Sequence, residues 1–185
     1  MTTAIQFLLI GIYLMIPAAI ANMMPVFVRK INFLNCPVDF NKKWFDGKPI
    51  FGSHKTYRGF FFGIFAAIFA VYIQNLLYKS SLFFQEISFF NYNEQSFIII
   101  GFLIGFGVLF GDLAKSFFKR RRNIKPGESW FPWDQIDLVI GGLIFVSLIK
   151  VPSWQMIIFL LIITPLFHIF FNHIGFWIGI RETKW

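Results

Sequence analysis

The chain has 185 residues and a net charge of +8, yet 57% of its residues are hydrophobic and 28 are Phe, for a mean hydropathy of +0.65. That composition excludes a disordered chain, and a soluble domain of this size has too small a core to hide so much apolar surface. The single cysteine, Cys36, excludes an intramolecular disulfide and a cysteine-based zinc site, which leaves a small basic integral membrane protein, all-α in class.

A helix needs about 20 mostly apolar residues to cross a bilayer, and five stretches meet or nearly meet that need. The first, 4–21, carries no charge. Ala19-Ile20-Ala21 has the small residues of a signal-peptide cleavage site, but no cation precedes the run and a strongly cationic loop follows it. The segment is therefore expected to stay as a span. The loop 22–58 holds Arg29, Lys30, Lys42, Lys43, Lys48, Lys55 and Arg58. The second span, 60–78, is uncharged, and the segment after it, 79–95, reads as a plain connection. The third, 97–118, runs through Asp112 and Lys115 into Phe117 and Phe118. After it comes the loop 119–135, with Lys119, Arg120, Arg121, Arg122 and Lys125. The fourth, 136–150, is short and reaches across only with Asp137 and Lys150 at its two interfaces. The fifth, 154–180, is long enough to tilt and is interrupted by Pro165, His168, Asn172 and His173. The histidines fit hydrogen bonds to neighbouring helices better than a proton relay.

Lys and Arg partition sharply. With Arg181 and Lys184, 15 of the 17 fall on one side of a five-helix topology, leaving Lys79 and Lys150 on the other. The positive-inside bias then places the N-terminus outside and the C-terminus in the cytoplasm. The whole chain reads as one membrane-embedded domain in the cytoplasmic membrane, with nothing that suggests a nucleic-acid partner.

Of nine acidic residues, Asp112, Asp134 and Asp137 fall around the third and fourth spans, at the cytoplasmic face. A carboxylate there is costly unless paired, solvated or bound to a cation. Asp134 and Asp137 are three apart and share a face on a helix. Taken alone, they fit helix capping, and Asp112 fits an ion pair with Lys115 or Lys119. Three together among many cations point instead to a hard divalent metal set against phosphates. Lys119–Arg122 is a basic run, and Lys55-Thr56-Tyr57-Arg58-Gly59 sets Lys, Thr and Arg where a phosphate chain can be held. One face thus offers metal carboxylates and phosphate cations together, as a nucleotide requires. Gly101, Gly105, Gly107 and Gly111 on the third span, with Gly141 and Gly142 on the fourth, suit close helix packing, which would draw Asp112 and Asp137 together.

These residues, in this order, resemble the CDP-archaeol synthase family, within the membrane cytidylyltransferases that include CDP-diacylglycerol synthase. The likeness runs over essentially the whole chain. It is carried by Pro17 to Val26, by Asp46-Gly47 with Gly52 and Lys55–Gly59, and above all by Gly111-Asp112, Ser116 to Arg121 and Pro132-Trp133-Asp134-Gln135-Ile136-Asp137. The His-Gly-Gly element of the broader group is absent, and Ser53-His54 stand where an acidic or amide residue is common.

The resemblance implies five spans, a cytoplasmic active site, and transfer of CMP from CTP to a lipid phosphate with release of pyrophosphate. It implies Mg2+, with Mn2+ as a possible substitute. Asp112, Asp134 and Asp137 are then the metal ligands and, with Lys119, the catalytic set. Lys55, Arg58, Lys119 and Arg120 would hold phosphates of CTP or lipid, and Asn22, Thr56 and Ser116 would add neutral hydrogen bonds. The competing expectations are a CTP-dependent polyprenol or phytol kinase and a small non-enzymatic transporter or scaffold. Neither the lipid, as isoprenoid ether or acyl ester, nor the oligomeric state follows from the sequence.

Overall fold

A computed structural model describes residues 3–125 and 128–177. Among them the regular structure is helical: α1 (Ala4–Phe27), a 3-10 turn (Val28–Lys30), α2 (Tyr57–Ser80), α3 (Leu82–Ile87), α4 (Phe97–Arg121), α5 (Trp133–Val146) and α6 (Trp154–Trp177). Three of these are long and apolar enough to cross a membrane: α1 with its 3-10 turn, α2 and α4. In α6 the stretch Trp154–Phe167 is apolar but shorter. Many large apolar side chains face outward, Phe65 and Phe69 among them, as expected where the surrounding solvent is lipid.

Local chemistry sets the helix ends. Thr3 caps α1 by accepting from the Gln6 N–H at 3.2 Å, and Thr56 caps α2 by accepting from the Gly59 N–H at 3.3 Å. The helix α4 runs three residues beyond its predicted span, so Lys119, Arg120 and Arg121 form its last turn, where cations complement the helix dipole. The helix α5 begins three residues earlier and stops four residues earlier than the predicted 136–150. Its N-cap position is Pro132, and Asp134 sits in the first turn instead of capping. At 14 residues it is about 21 Å long. Of the predicted last span, residues 178–180 lie outside the described residues, as do the side chains of His168 and Asn172 and the tail cations Arg181 and Lys184. The His173 ring Nδ1 lies 2.8 Å from the Ile169 carbonyl oxygen, within its own helix.

Helix α4 is the centre of the bundle, with α2 on one side and α5 on the other. Glycines make both contacts close. A Cβ on Gly101 would stand 2.5 Å from Ile68 Cα, and one on Gly105 would stand 2.9 Å from Ile64 Cα, both on α2. Toward α5, a Cβ on Gly107 would meet the Gly141 carbonyl oxygen at 2.6 Å, and one on Gly111 would meet the Asp137 carbonyl oxygen at 2.5 Å. No real Cβ tolerates such distances, so α4 and α5 touch backbone to backbone. The buried core runs through Ala21, Ala67, Val71, Ile100, Ile104 and Val108.

The loop 31–56 folds back onto the end where α1 finishes, α2 begins, α4 finishes and α5 begins. The Val38 N–H donates to the Lys55 carbonyl at 2.7 Å and the Tyr57 N–H to Cys36 at 3.0 Å. Asp39, buried in this loop, accepts from the backbone N–H groups of Asn41, Phe51 and Gly52 at 2.9–3.0 Å. Burial by itself would raise the Asp39 pKa, but the three donors outweigh it and hold the carboxyl below its usual range.

Candidate active site

The close approach of α4 and α5 sets Asp112 beside Asp134 and Asp137. The three carboxylates meet around one ammonium group, that of Lys115. Its Nζ lies 3.2 Å from Asp112 Oδ1, 3.1 Å from Asp134 Oδ1 and 2.8 Å from Asp137 Oδ2. Two more lysines flank the group. Lys55, from the loop before α2, places Nζ 2.5 Å from Asp112 Oδ2. Lys119, one turn beyond Lys115, donates to both oxygens of Asp134 at 3.1 and 3.2 Å and to the Glu128 carbonyl. Asp134 also accepts from the Trp130 N–H at 2.6 Å, which fixes the turn before α5. Three carboxylates thus face three ammonium groups, and buried charges persist only when paired in this way.

Two cavities open beside this cluster. The nearer, about 280 Å³, is lined by Lys55, Lys115, Ser116, Lys119, Arg120 and Asp134, with His54 at its side. Asp112 and Asp137 are not among its lining residues. The second, about 470 Å³, shares Gly52 and Arg120 with the first and adds Lys43, Lys48 and Lys125. Arg120 is buried, and its Nε finds no hydrogen-bond partner among the described residues. The loop wall is stapled to α4: Arg121 Nε pairs with Asp46 Oδ2 at 2.7 Å, and Lys48 Nζ donates to the Arg121 carbonyl at 3.0 Å. A charged, water-accessible chamber at the end of an apolar bundle suits a polyphosphate whose partner substrate arrives from the lipid.

The structure thus brings together Asp112, Asp134, Asp137, Lys55, Ser116, Lys119 and Arg120. The Ser116 hydroxyl donates to the Asp112 carbonyl at 2.8 Å, and the residue lines the nearer cavity. Three expected residues stand apart. The Thr56 hydroxyl caps α2. Arg58 is buried and donates from Nη1 to the Ile31 carbonyl. Asn22 is half-buried on α1, and none of the three lines either cavity. The sequence reading missed Lys115 as the centre of the cluster. Its one signal was the i, i+3 spacing from Asp112. It also missed Asp39, an acidic residue in a basic loop whose carboxylate partners are backbone N–H groups and not the side chains of the nearby Lys42 and Lys43.

The donor chemistry fits the Mg2+ that the resemblance implies, since three hard carboxylate oxygens converge on one point. As they stand, however, the oxygens are spaced around an ammonium group. Among the described residues no group of three or more His, Cys, Asp or Glu is drawn closely enough to hold a metal ion.

Comparison with known proteins decides the family. Residues 4–185 match the family model described as CarS-like, CDP-archaeol synthase. The chain belongs to the CDP-archaeol synthase family. Among its relatives, the CDP-archaeol synthase of Methanococcoides burtonii is 40% identical over 158 residues, covering 80% of this chain and 90% of that protein. The CDP-archaeol synthase of Methanococcus aeolicus is 33% identical over 183 residues, covering 98% and 99%. A solved structure of an intramembrane enzyme for archaeal membrane lipids biosynthesis superposes with a TM-score of 0.65 at 26% identity, covering 87% of this chain and 91% of that one. The family likeness thus extends over the Gly111–Arg121 and Pro132–Asp137 segments that build the charged chamber.

Proposed function

We propose that this chain transfers CMP from CTP to the phosphate of an isoprenoid ether lipid, giving a CDP-activated lipid and pyrophosphate. The observation that carries the reading is the carboxylate–lysine cluster on α4 and α5, opening into a cation-lined chamber in a member of this family. A phosphate oxygen of the lipid attacks the α-phosphorus of CTP. The bond from that phosphorus to the bridging oxygen of the β-phosphate breaks, and the electron pair leaves with pyrophosphate. The lipid phosphate is already an anion, so no serine or cysteine intermediate is needed. What the protein supplies is alignment and charge.

Lys55, Lys119 and Arg120 line the nearer cavity and are assigned to the triphosphate, with Lys43, Lys48 and Lys125 around the wider one. Asp112, Asp134 and Asp137 would hold Mg2+, which when bound neutralises charge on the triphosphate. Thr56 and Arg58 act on the shape of the chamber by fixing the start of α2.

In the membrane, α1, α2, α4, α5 and α6 are assigned as five crossings of the cytoplasmic membrane, with the chamber toward the cytoplasm. The support is the distribution of cations: the loop 31–56 and residues 122–125 meet at the chamber end, and Lys79 and Lys150 lie at the other. The short α5 crosses with help from the residues flanking it.

The test supplies purified protein with CTP, Mg2+ and either an ether-linked isoprenoid glycerol phosphate or phosphatidic acid. Formation of a CDP-lipid with one pyrophosphate per turnover, preferring the ether lipid, is the expected result. Release of CDP with a phosphorylated lipid would replace the proposal with a kinase.

A further inference from the structure

Lys115 occupies the point on which the three carboxylates converge. Among the described residues its ammonium is the one group within 3.2 Å of all three carboxylates, and its side chain is only 15% exposed. It lines the cavity while Asp112 and Asp137 do not, so of Lys115 and its three carboxylate partners only Lys115 and Asp134 border the chamber directly. The cluster is also balanced as built, with Lys55, Lys115 and Lys119 against the three aspartates. A bare divalent ion added to it would leave an excess of positive charge in a weakly screened site already walled by Arg120 and further lysines. An ion that arrives with the triphosphate brings its own negative charge.

We propose that Lys115 is a resident counter-ion. It holds the three aspartates together while the site is without nucleotide, keeps free divalent cations out, and gives up its place only to a cation entering with CTP. Its four-carbon stem then lets the ammonium swing into the chamber beside Ser116 and Lys119, where it meets a phosphate oxygen. Lys115 is thus a positioning residue that makes metal binding depend on nucleotide. The inference rests on the assignment of Asp112, Asp134 and Asp137 as metal ligands.

The test uses the full chain in detergent with Mn2+ as the probe, read by the loss of the free-ion paramagnetic resonance signal, with and without CTP and with no lipid. The wild type is expected to bind Mn2+ about tenfold or more tighter with CTP present. Lys115→Met keeps the stem and removes the charge. It is expected to bind Mn2+ without CTP about tenfold or more tighter than the wild type, to melt at a lower temperature in metal-free buffer, and to recover that loss on adding Mn2+. Lys115→Arg should behave as the wild type does, and Lys115→Gln serves if the Met variant does not purify. Mn2+ affinities without CTP that are the same in wild type, Met and Gln variants, while all bind Mn2+ with CTP, would overturn the counter-ion and leave the metal assignment standing. Absence of Mn2+ binding in every variant even with CTP would overturn the metal assignment and this inference with it.

Discussion

The two ends of the bundle are polar inside, and they are made polar in opposite ways. At the end away from the chamber the buried groups are neutral and joined by single hydrogen bonds. Gln74 donates to the Tyr13 carbonyl at 2.8 Å, Tyr92 donates to Gln74 Oε1 at 3.0 Å, and Tyr78 donates to Asn91 Oδ1 at 3.0 Å. At the chamber end, carboxylates share ammonium groups several to one, and the cations line open volume. Neutral hydrogen bonds suffice to lock helices together. Buried charges cost more, and among the described residues they gather at the chamber end. On the proposed function the contrast separates residues that hold the fold from residues assigned to the chemistry, and substitutions can break it.

The largest effect is expected at Asp137. Asp137→Asn keeps the volume and removes the charge, so initial rates of CDP-lipid formation should fall on the order of 10²–10³-fold, with membrane insertion and monodispersity unchanged. A variant that keeps full rate at limiting Mg2+ would remove Asp137 from the metal set. Next comes Arg120, which lines both cavities. Arg120→Ala should raise the KM for CTP about tenfold to a hundredfold, in line with about 1.5–3 kcal/mol for charge-assisted hydrogen bonds, and change kcat less. An unchanged KM would move the nucleotide elsewhere.

The third expectation concerns the loop wall. The Asp39 carboxyl is held below its usual pKa, so its contribution is in place above the ordinary carboxylate value of about 3.9. It is lost as pH falls through the lower folded value. Amide protection factors at Phe51 and Gly52, taken against the intrinsic exchange rate at each pH, should stay high at neutral pH and fall on acidification. In Asp39→Ala, which strands both donors at a cost of about 1–3 kcal/mol, they should be low at every pH. Protection that persists in the variant would take that role from Asp39. The smallest effect belongs to the far end: Tyr92→Phe removes one neutral hydrogen bond, costs about 1 kcal/mol, lowers Tm by a few degrees and leaves kcat and KM alone. A change in KM there would mean that the two ends are coupled.

These expectations also mark how far the sequence could be read. The apolar runs and the one-sided cations were legible because lipid imposes length and orientation imposes charge. The meeting of Asp112 with Asp137 was legible through Gly107, Gly111 and Gly141, since small residues on two helices permit contact. Lys115 was not. Its spacing from Asp112 shows one ion pair, whereas Asp134 and Asp137 reach it from another helix, and how two helices rotate about their contact is not written locally. The Lys55–Gly59 motif was read as a single phosphate grip. Only Lys55 turns to the chamber, because the Thr56 hydroxyl is taken by the helix start and Arg58 by a carbonyl of the preceding loop. The predicted span starts at 136, with Asp134 as a cap, because Trp133 and Asp134 precede the apolar run by which a span is recognised, whereas α5 already begins at Trp133.

The glycine contact has a consequence for how the protein tolerates change. Sliding α5 along α4 by a single residue would move Asp137 about 1.5 Å, about three times the error a reactive constellation accepts. In a scan of every substitution, function should collapse at Gly107, Gly111 and Gly141 for any side chain larger than a hydrogen atom, even though none of these glycines touches a substrate. It should stay nearly level across the outward-facing Phe65 and Phe69, where one greasy side chain serves as well as another.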